Sequence, residues 1–201
     1  MIRAVLFDIG NVILAFSHER MCRQLAEVYG ASTETIRQEI FESGLAELLD
    51  RGEVGTEDLW HRLNRVGSRQ ATFAEACVAA TDIFDADPAV AEIVEDLHQE
   101  GVRLVVLSNT CEVHSSHVLR EFPVFEYFDH LVLSHQLGAV KPEEKIFKRA
   151  LGAAGCAAGE CFYTDDIAQY VQSARSLGID GEVFQGADLL REQLRQRGVS
   201  L

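Results

Sequence analysis

The chain opens with MIRAVLFDIGNVI (1–13), in which an apolar run, Ala4 to Phe7, meets the carboxylate of Asp8 and then Gly10 and Asn11. A short apolar run without alternation, bounded by turn residues, reads as a strand covered on both faces. Four later stretches repeat the form: VRLVVLS (102–108), HLVLS (130–134), CFYTDD (161–166) and GEVFQG (181–186). From the second run onward helical patterns separate them, over 112–120, 142–151, 167–177 and 187–197, most closed by a nearby Gly. Strand, helix, strand in repetition predicts an α/β fold with a doubly wound parallel sheet.

The interval between the first two runs is different. Residues 17–86 carry helix signals and no convincing strand. Thr56 stands before a run holding Leu59, Trp60 and Leu63, and Thr72-Phe73-Ala74-Glu75 matches a capping box. About four helices are expected there. Asp87-Pro88, an N-cap followed by Pro at the first helical position, then opens a helix with Val90, Ile93, Val94 and Leu97 on one face. The expected organisation is a core of 1–16 and 87–201 with a helical cap of 17–86.

Composition agrees with one domain plus an insertion. The 201 residues are 47% hydrophobic and 25% charged, with mean hydropathy +0.01, enough apolar residue to bury a sizeable core. Eighteen Lys and Arg against 32 Asp and Glu leave a net charge of −14, which repels phosphate backbones and anionic lipid surfaces. Nucleic acid is therefore not an expected partner, and no run approaches the length of a membrane span. An anionic substrate would need a local cation or metal to overcome that field. Five cysteines (22, 77, 111, 156 and 161), odd in number and without C-x-x-C spacing, point to a reducing, cytoplasmic setting rather than a disulfide framework or zinc site. The charge speaks to solubility, not stoichiometry.

In an open parallel sheet, ligands bind beyond the carboxyl ends of the strands. Four runs here lead into reactive groups: Asp8, Ser108-Asn109-Thr110, Lys141 and Asp165-Asp166. Each also has a structural reading. Asp8 could simply end a strand, and Ser108, Asn109 or Thr110 could cap the next helix. Lys141 could be a solvated lysine, although the start of a helix disfavours a cation. Asp165 and Asp166 could be an N-cap pair, yet two adjacent carboxylates repel unless a cation neutralises them, and Mg²⁺ is the hard ion suited to oxygen ligands. Their conjunction in one crevice favours chemistry over four separate coincidences.

The motifs FDIGNVI (7–13), VVLSNT (105–110), GAVKPEEKIF (138–147) and YTDD (163–166) followed by ARSLG (174–178) resemble the haloacid dehalogenase superfamily of phosphohydrolases. Within it, the D-x-G-N-V form and SNT with His114 four residues beyond Thr110 resemble the bacterial α-D-glucose-1-phosphate phosphatase branch. The resemblance implies a Rossmann-like core with an inserted C1-type helical cap, and a Mg²⁺-dependent phosphatase acting on a small phosphorylated metabolite such as a sugar phosphate. It implies Asp8 as nucleophile, forming an aspartyl-phosphate. It places Mg²⁺ on Asp8, the Gly10 carbonyl and Asp166, with Asp165 beside it, and the phosphoryl group against Gly10, Asn11, Ser108, Asn109 and Lys141.

One departure matters. Most phosphatases of this superfamily carry a second Asp two positions after the nucleophile, as general acid and base; here that position is Gly10. General acid–base assistance is typically worth 10²–10⁴-fold, so the role shifts elsewhere, turnover slows, or the leaving group must already be acidic. His114, His18 and Glu19 are the candidate substitutes, and Arg20 with Glu19 stands at the core-to-cap junction where a ligand could be met. Trp60 and His61 could also meet substrate, but Trp60 at helical spacing with Leu59 and Leu63 reads better as core. Rival expectations are a phosphotransferase, a phospho-ligand-binding protein without turnover, and a 2-haloacid dehalogenase, which would need no metal.

Overall fold

The computed structural model describes residues 1–201. Its centre is a five-stranded, all-parallel sheet of β1 (Ala4–Phe7), β4 (Arg103–Ser108), β5 (His130–Leu133), β6 (Cys161–Asp165) and β7 (Asp180–Val183), in the order β5-β4-β1-β6-β7. Successive residues of each strand face opposite sides, so each apolar run supplies two layers of core. Val5, Phe7, Leu104, Val106 and Phe162 pack with Val90, Ile93, Val94 and Leu97 of α6 (Pro88–Gln99) and with Leu190 and Leu194 of α11 (Ala187–Gln196). Ala4, Leu6, Val105, Leu107 and Tyr163 face the other way, onto α9 (Glu144–Ala154) and α10 (Ala168–Ser176), while α7 (Glu112–Glu121) follows β4 and the single turn α8 (Ser134–Leu137) follows β5. At roughly 1.5–3 kcal/mol for each large apolar side chain removed from water, these two layers dominate the stability of the sheet.

The chain leaves this core through β2 (Leu14–Phe16) and returns through β3 (Phe84–Ala86), two short strands paired antiparallel with Phe16 opposite Phe84. The sequence shows no strand at either place, because three residues carry no readable period. Between them lie five α-helices rather than about four: α1 (His18–Tyr29), α2 (Thr33–Arg37), α3 (Leu45–Asp50), α4 (Thr56–Val66) and α5 (Phe73–Thr81), with a π-turn over Gln38–Glu42. Their apolar faces form a separate cluster around Met21, Leu25, Tyr29, Ile36, Leu63 and Ile83. Trp60 belongs to it, its Nε1 donating to the Ala71 carbonyl at 2.8 Å, as its helical spacing suggests.

Of the three caps expected for helices, those at Thr72 and Asp87 are met and that at Thr56 is not, and Ser17 adds one the sequence reading did not name. Thr72 and Glu75 form the reciprocal capping box of α5, and Ser17 caps α1 by accepting from the Arg20 amide. Asp87 caps α6, accepting from Ala89 and Val90 ahead of which Pro88 has no N–H to satisfy. At α4, however, Gly55 is the cap residue and Thr56 is already helical; Asp58 reaches back 2.8 Å to the Gly55 amide instead. Replacing Asp87 by Ala should lower stability by about 1 kcal/mol, measured by urea unfolding at constant m.

Candidate active site

β1, β4 and β6 are neighbours in the sheet, so their carboxyl ends bring Asp8, Ser108 and Asp165 to one edge. Lys141 arrives from the segment before α9, and its ammonium is almost fully enclosed, with 2% of the residue exposed. Its Nζ lies 2.8 Å from Asp8 Oδ1 and 2.6 Å from Asp165 Oδ2. The expected helix start at Pro142 lies further on: Glu143 is the cap residue and α9 begins at Glu144, so Lys141 sits in a turn, away from the unfavourable helix end.

Asn109 explains how the lysine is held. Its side-chain amide donates to the Lys141 carbonyl at 3.1 Å and accepts from the Lys141 N–H at 2.7 Å, the pairing a neighbouring strand would make. Beneath the ammonium, Asp165 Oδ2 also accepts from the Tyr163 hydroxyl, while Oδ1 accepts from the Ile167 amide at 2.8 Å. Burial lowers the Lys141 pKa, but Asp8 and Asp165 more than offset it, and the group is held above its ordinary value. Burial raises Asp8 to about 6 against the pull of Lys141, with Asp165 adding to the rise.

Asp166 completes a group of three carboxylates, Asp8, Asp165 and Asp166, whose ligand oxygens lie within 4.8 Å of one another. Asn11, in the left-handed conformation at φ 54°, donates from Nδ2 to Asp166 Oδ2 at 3.1 Å. Three carboxylates against one lysine leave negative charge in excess. Asp8 Oδ1, despite its closeness to Lys141, has no aligned hydrogen-bond donor. An all-oxygen donor set with surplus charge and a poorly satisfied buried oxygen suits a hard divalent cation. Asp165 is the least available of the three, since both of its oxygens already accept hydrogen bonds.

A cavity of about 390 Å³ opens from these residues and runs under the helices of 18–81. Gly10, Asn11, Ser108, Asn109 and Asp166 line it, as do His18 and His114. His18 lies between the rings of Phe16 and Phe41, at 4.8 and 4.6 Å, and burial and then the nearby His114 lower its pKa. His114 contacts the Ala80 carbonyl through Nε2 at 3.1 Å, and burial lowers its pKa too, the pull of Asp50 notwithstanding. Glu19 and Arg20 are not in the wall. Arg20 is instead held by Asp82 at 2.6 Å and Asp85 at 3.3 Å, acids too far along the chain for spacing to reveal.

Two features of the site escape the sequence. Asp50, the last residue of α3, enters the cavity wall, and burial raises its pKa to about 6, with Lys141 and His114 opposing the rise and Glu47 and Asp8 adding to it. Nothing in the surrounding LAELLD pattern distinguishes it from a solvated helix acid. The other is the reason for glycine at position 10. A Cβ there would lie 2.6 Å from Phe16 Cε1, well inside carbon–carbon contact, so the aromatic ring already occupies the place of a side chain.

The raised pKa of Asp50 has a sign. Above about pH 6 the folded protein holds a carboxylate that the unfolded chain holds more comfortably, so this group reduces stability increasingly as pH rises from 3.8 to about 6. Asp50→Asn should therefore stabilise the protein at pH 7.5, by no more than about 3 kcal/mol, and give little gain at pH 4. Thermal melts of both proteins at the two pH values check this.

Residues 2–178 match the sequence model of the haloacid dehalogenase-like hydrolases. The D-ribitol-5-phosphate phosphatase of Bacteroides thetaiotaomicron is 26% identical over 202 residues, covering 96% of this chain and 97% of its own. The sesquiterpene phosphatase astK of Aspergillus oryzae is 23% identical over 181 residues, covering 89% and 88%. Among solved structures, the HAD family enzyme bt-2542 of B. thetaiotaomicron, in complex with magnesium and inorganic phosphate, superposes with a TM-score of 0.82 over 92% of this chain and 95% of that one, at 22% identity. The parallel sheet, the acids at its strand ends and the match across most of the sequence agree, and the chain belongs to the haloacid dehalogenase-like hydrolase family.

Proposed function

We propose that the chain is a Mg²⁺-dependent phosphatase that hydrolyses a small phosphorylated metabolite through an aspartyl-phosphate on Asp8. The observation that carries this reading is the enclosed Lys141 ammonium between Asp8 and Asp165, with Asp166 close by, at the floor of a cavity. The phosphatases among its relatives and the magnesium and phosphate bound to bt-2542 support it.

Asp8, Asp166 and the Gly10 carbonyl are the groups suited to hold the metal, with Asp165 behind them fixing Lys141. Magnesium, when bound, supplies positive charge that lets a carboxylate and a phosphate dianion approach one another. Lys141 contributes the protein's own share of that charge, and Ser108 and the backbone amide of Asn109 offer hydrogen bonds to the phosphoryl oxygens. An Asp8 carboxylate oxygen bonds to phosphorus as the ester P–O bond breaks, and the departing oxygen takes a proton. Water then attacks the acyl phosphate, releasing inorganic phosphate and restoring Asp8. Residues 17–86 act as the cap over a core of 1–16 and 87–201, excluding bulk water from these steps.

Gly10 supplies a carbonyl but no proton, and the Phe16 ring would have to move for a side chain to stand there. That observation also favours a second reading, a protein that binds phosphorylated ligands with little turnover.

Phosphate release measured with Mg²⁺ and with chelator separates the two. Turnover should require the metal, and Asp8→Asn should lower kcat by at least about 10³-fold while the protein stays folded. Folded wild-type protein that releases no phosphate from any ester, yet melts higher with phosphorylated ligand, would establish the binding reading instead.

A further inference from the structure

The walls of the cavity differ sharply from its floor. The floor holds Asp8, Ser108, Lys141 and Asp166. Beyond it the helical segment presents Met21, Ile40, Phe41, Leu49 and Leu59, and β3 presents Phe84, all of which also pack in the hydrophobic cluster of that segment. The space is thus a hollow within an apolar core that opens onto a charged site. We infer that the group esterified to the phosphate is an aliphatic hydrocarbon, such as an alkyl or prenyl chain, rather than the sugar or polyol that the sequence resemblance suggests. This rests on the phosphatase reading of the same site.

Polar groups in the walls are few beside the apolar ones. His114 spends Nε2 on the Ala80 carbonyl, while His18 packs against two phenyl rings and makes no hydrogen bond. Thr110 directs its hydroxyl toward the Cys111 carbonyl. Asp50 is the one carboxyl that the helical segment contributes. A pentitol or hexose phosphate brings about four hydroxyls that must each find a partner, and every one buried without a partner forfeits roughly ten-fold in binding. A methylene in the same place gains roughly four-fold. The ring of Phe16, beside position 10, adds to the apolar lining.

The test is a series of esters whose leaving groups are all non-allylic primary alkoxides, so that chemical reactivity stays close: butyl, hexyl, octyl and citronellyl phosphate against ribitol 5-phosphate and glucose 6-phosphate. With Mg²⁺, kcat/KM should rise by about four-fold per methylene until the cavity is filled, and the best aliphatic ester should exceed both polyol esters by at least about 100-fold. Met21→Gln, nearly isosteric, should narrow that gap by about ten-fold, measured below its melting transition because an amide buried among apolar side chains also lowers stability. A higher kcat/KM for either polyol ester, or no dependence on chain length, overturns the inference. If no ester is hydrolysed, the phosphatase reading fails by itself. Calorimetric binding of octyl phosphate against ribitol 5-phosphate to Asp8→Asn then decides the inference independently, tighter binding of the octyl ester upholding it and tighter binding of ribitol 5-phosphate overturning it.

Discussion

A lysine ammonium enclosed between two carboxylates is the interaction on which the rest of this molecule depends. Taking three ions out of water is costly, and mutual attraction repays it only when geometry is good and the remaining lone pairs are satisfied. Here the satisfaction is elaborate: Tyr163 and the Ile167 amide complete Asp165, and Asn109 grips both backbone groups of Lys141. Those partners come from β6, from the turn after it and from the end of β4, so the parallel register of the sheet is itself a requirement of the ion pair. The imperfectly satisfied member is Asp8, the group proposed as nucleophile.

The helical segment is fastened to this centre from the opposite side. After α3 the chain turns at Gly52, with φ +67°, and a Cβ there would fall 2.2 Å from the His135 carbonyl oxygen, so only glycine allows the two backbones to meet. Beside it Arg51 pairs with Glu143 at 2.5 Å, two residues beyond Lys141. The element that carries Asp50 into the cavity is therefore braced against the segment that carries the ammonium. The short β2–β3 ribbon ties the same helices to the sheet at their other end.

What the sequence discloses and what it hides divide along physical lines. The five buried runs and the charged residues at their ends are legible because strand burial and helix periodicity are local properties, and the order of motifs fixes which ends share a crevice. The ribbon is illegible because Leu14–Phe16 and Phe84–Ala86 are stabilised by each other, 68 or more residues apart, and not by any period of their own. Arg20 illustrates the same limit: its junction position is visible, but the acids that hold it lie on a distant stretch. Asp50 is hidden for the opposite reason. Its sequence context is that of a surface helix, and only the docking of α3 turns it inward.

The contact between Phe16 and position 10 carries a consequence for descent. A side chain at position 10 requires the ring of Phe16 to swing aside or residue 16 to become smaller, since a Cβ and the ring where it now lies cannot share the space. The two positions are thus coupled in evolution: a change at either is judged by what the other already is. A single aromatic ring on a three-residue strand imposes a steric cost on any side chain at position 10, one that its own rotation or replacement would lift.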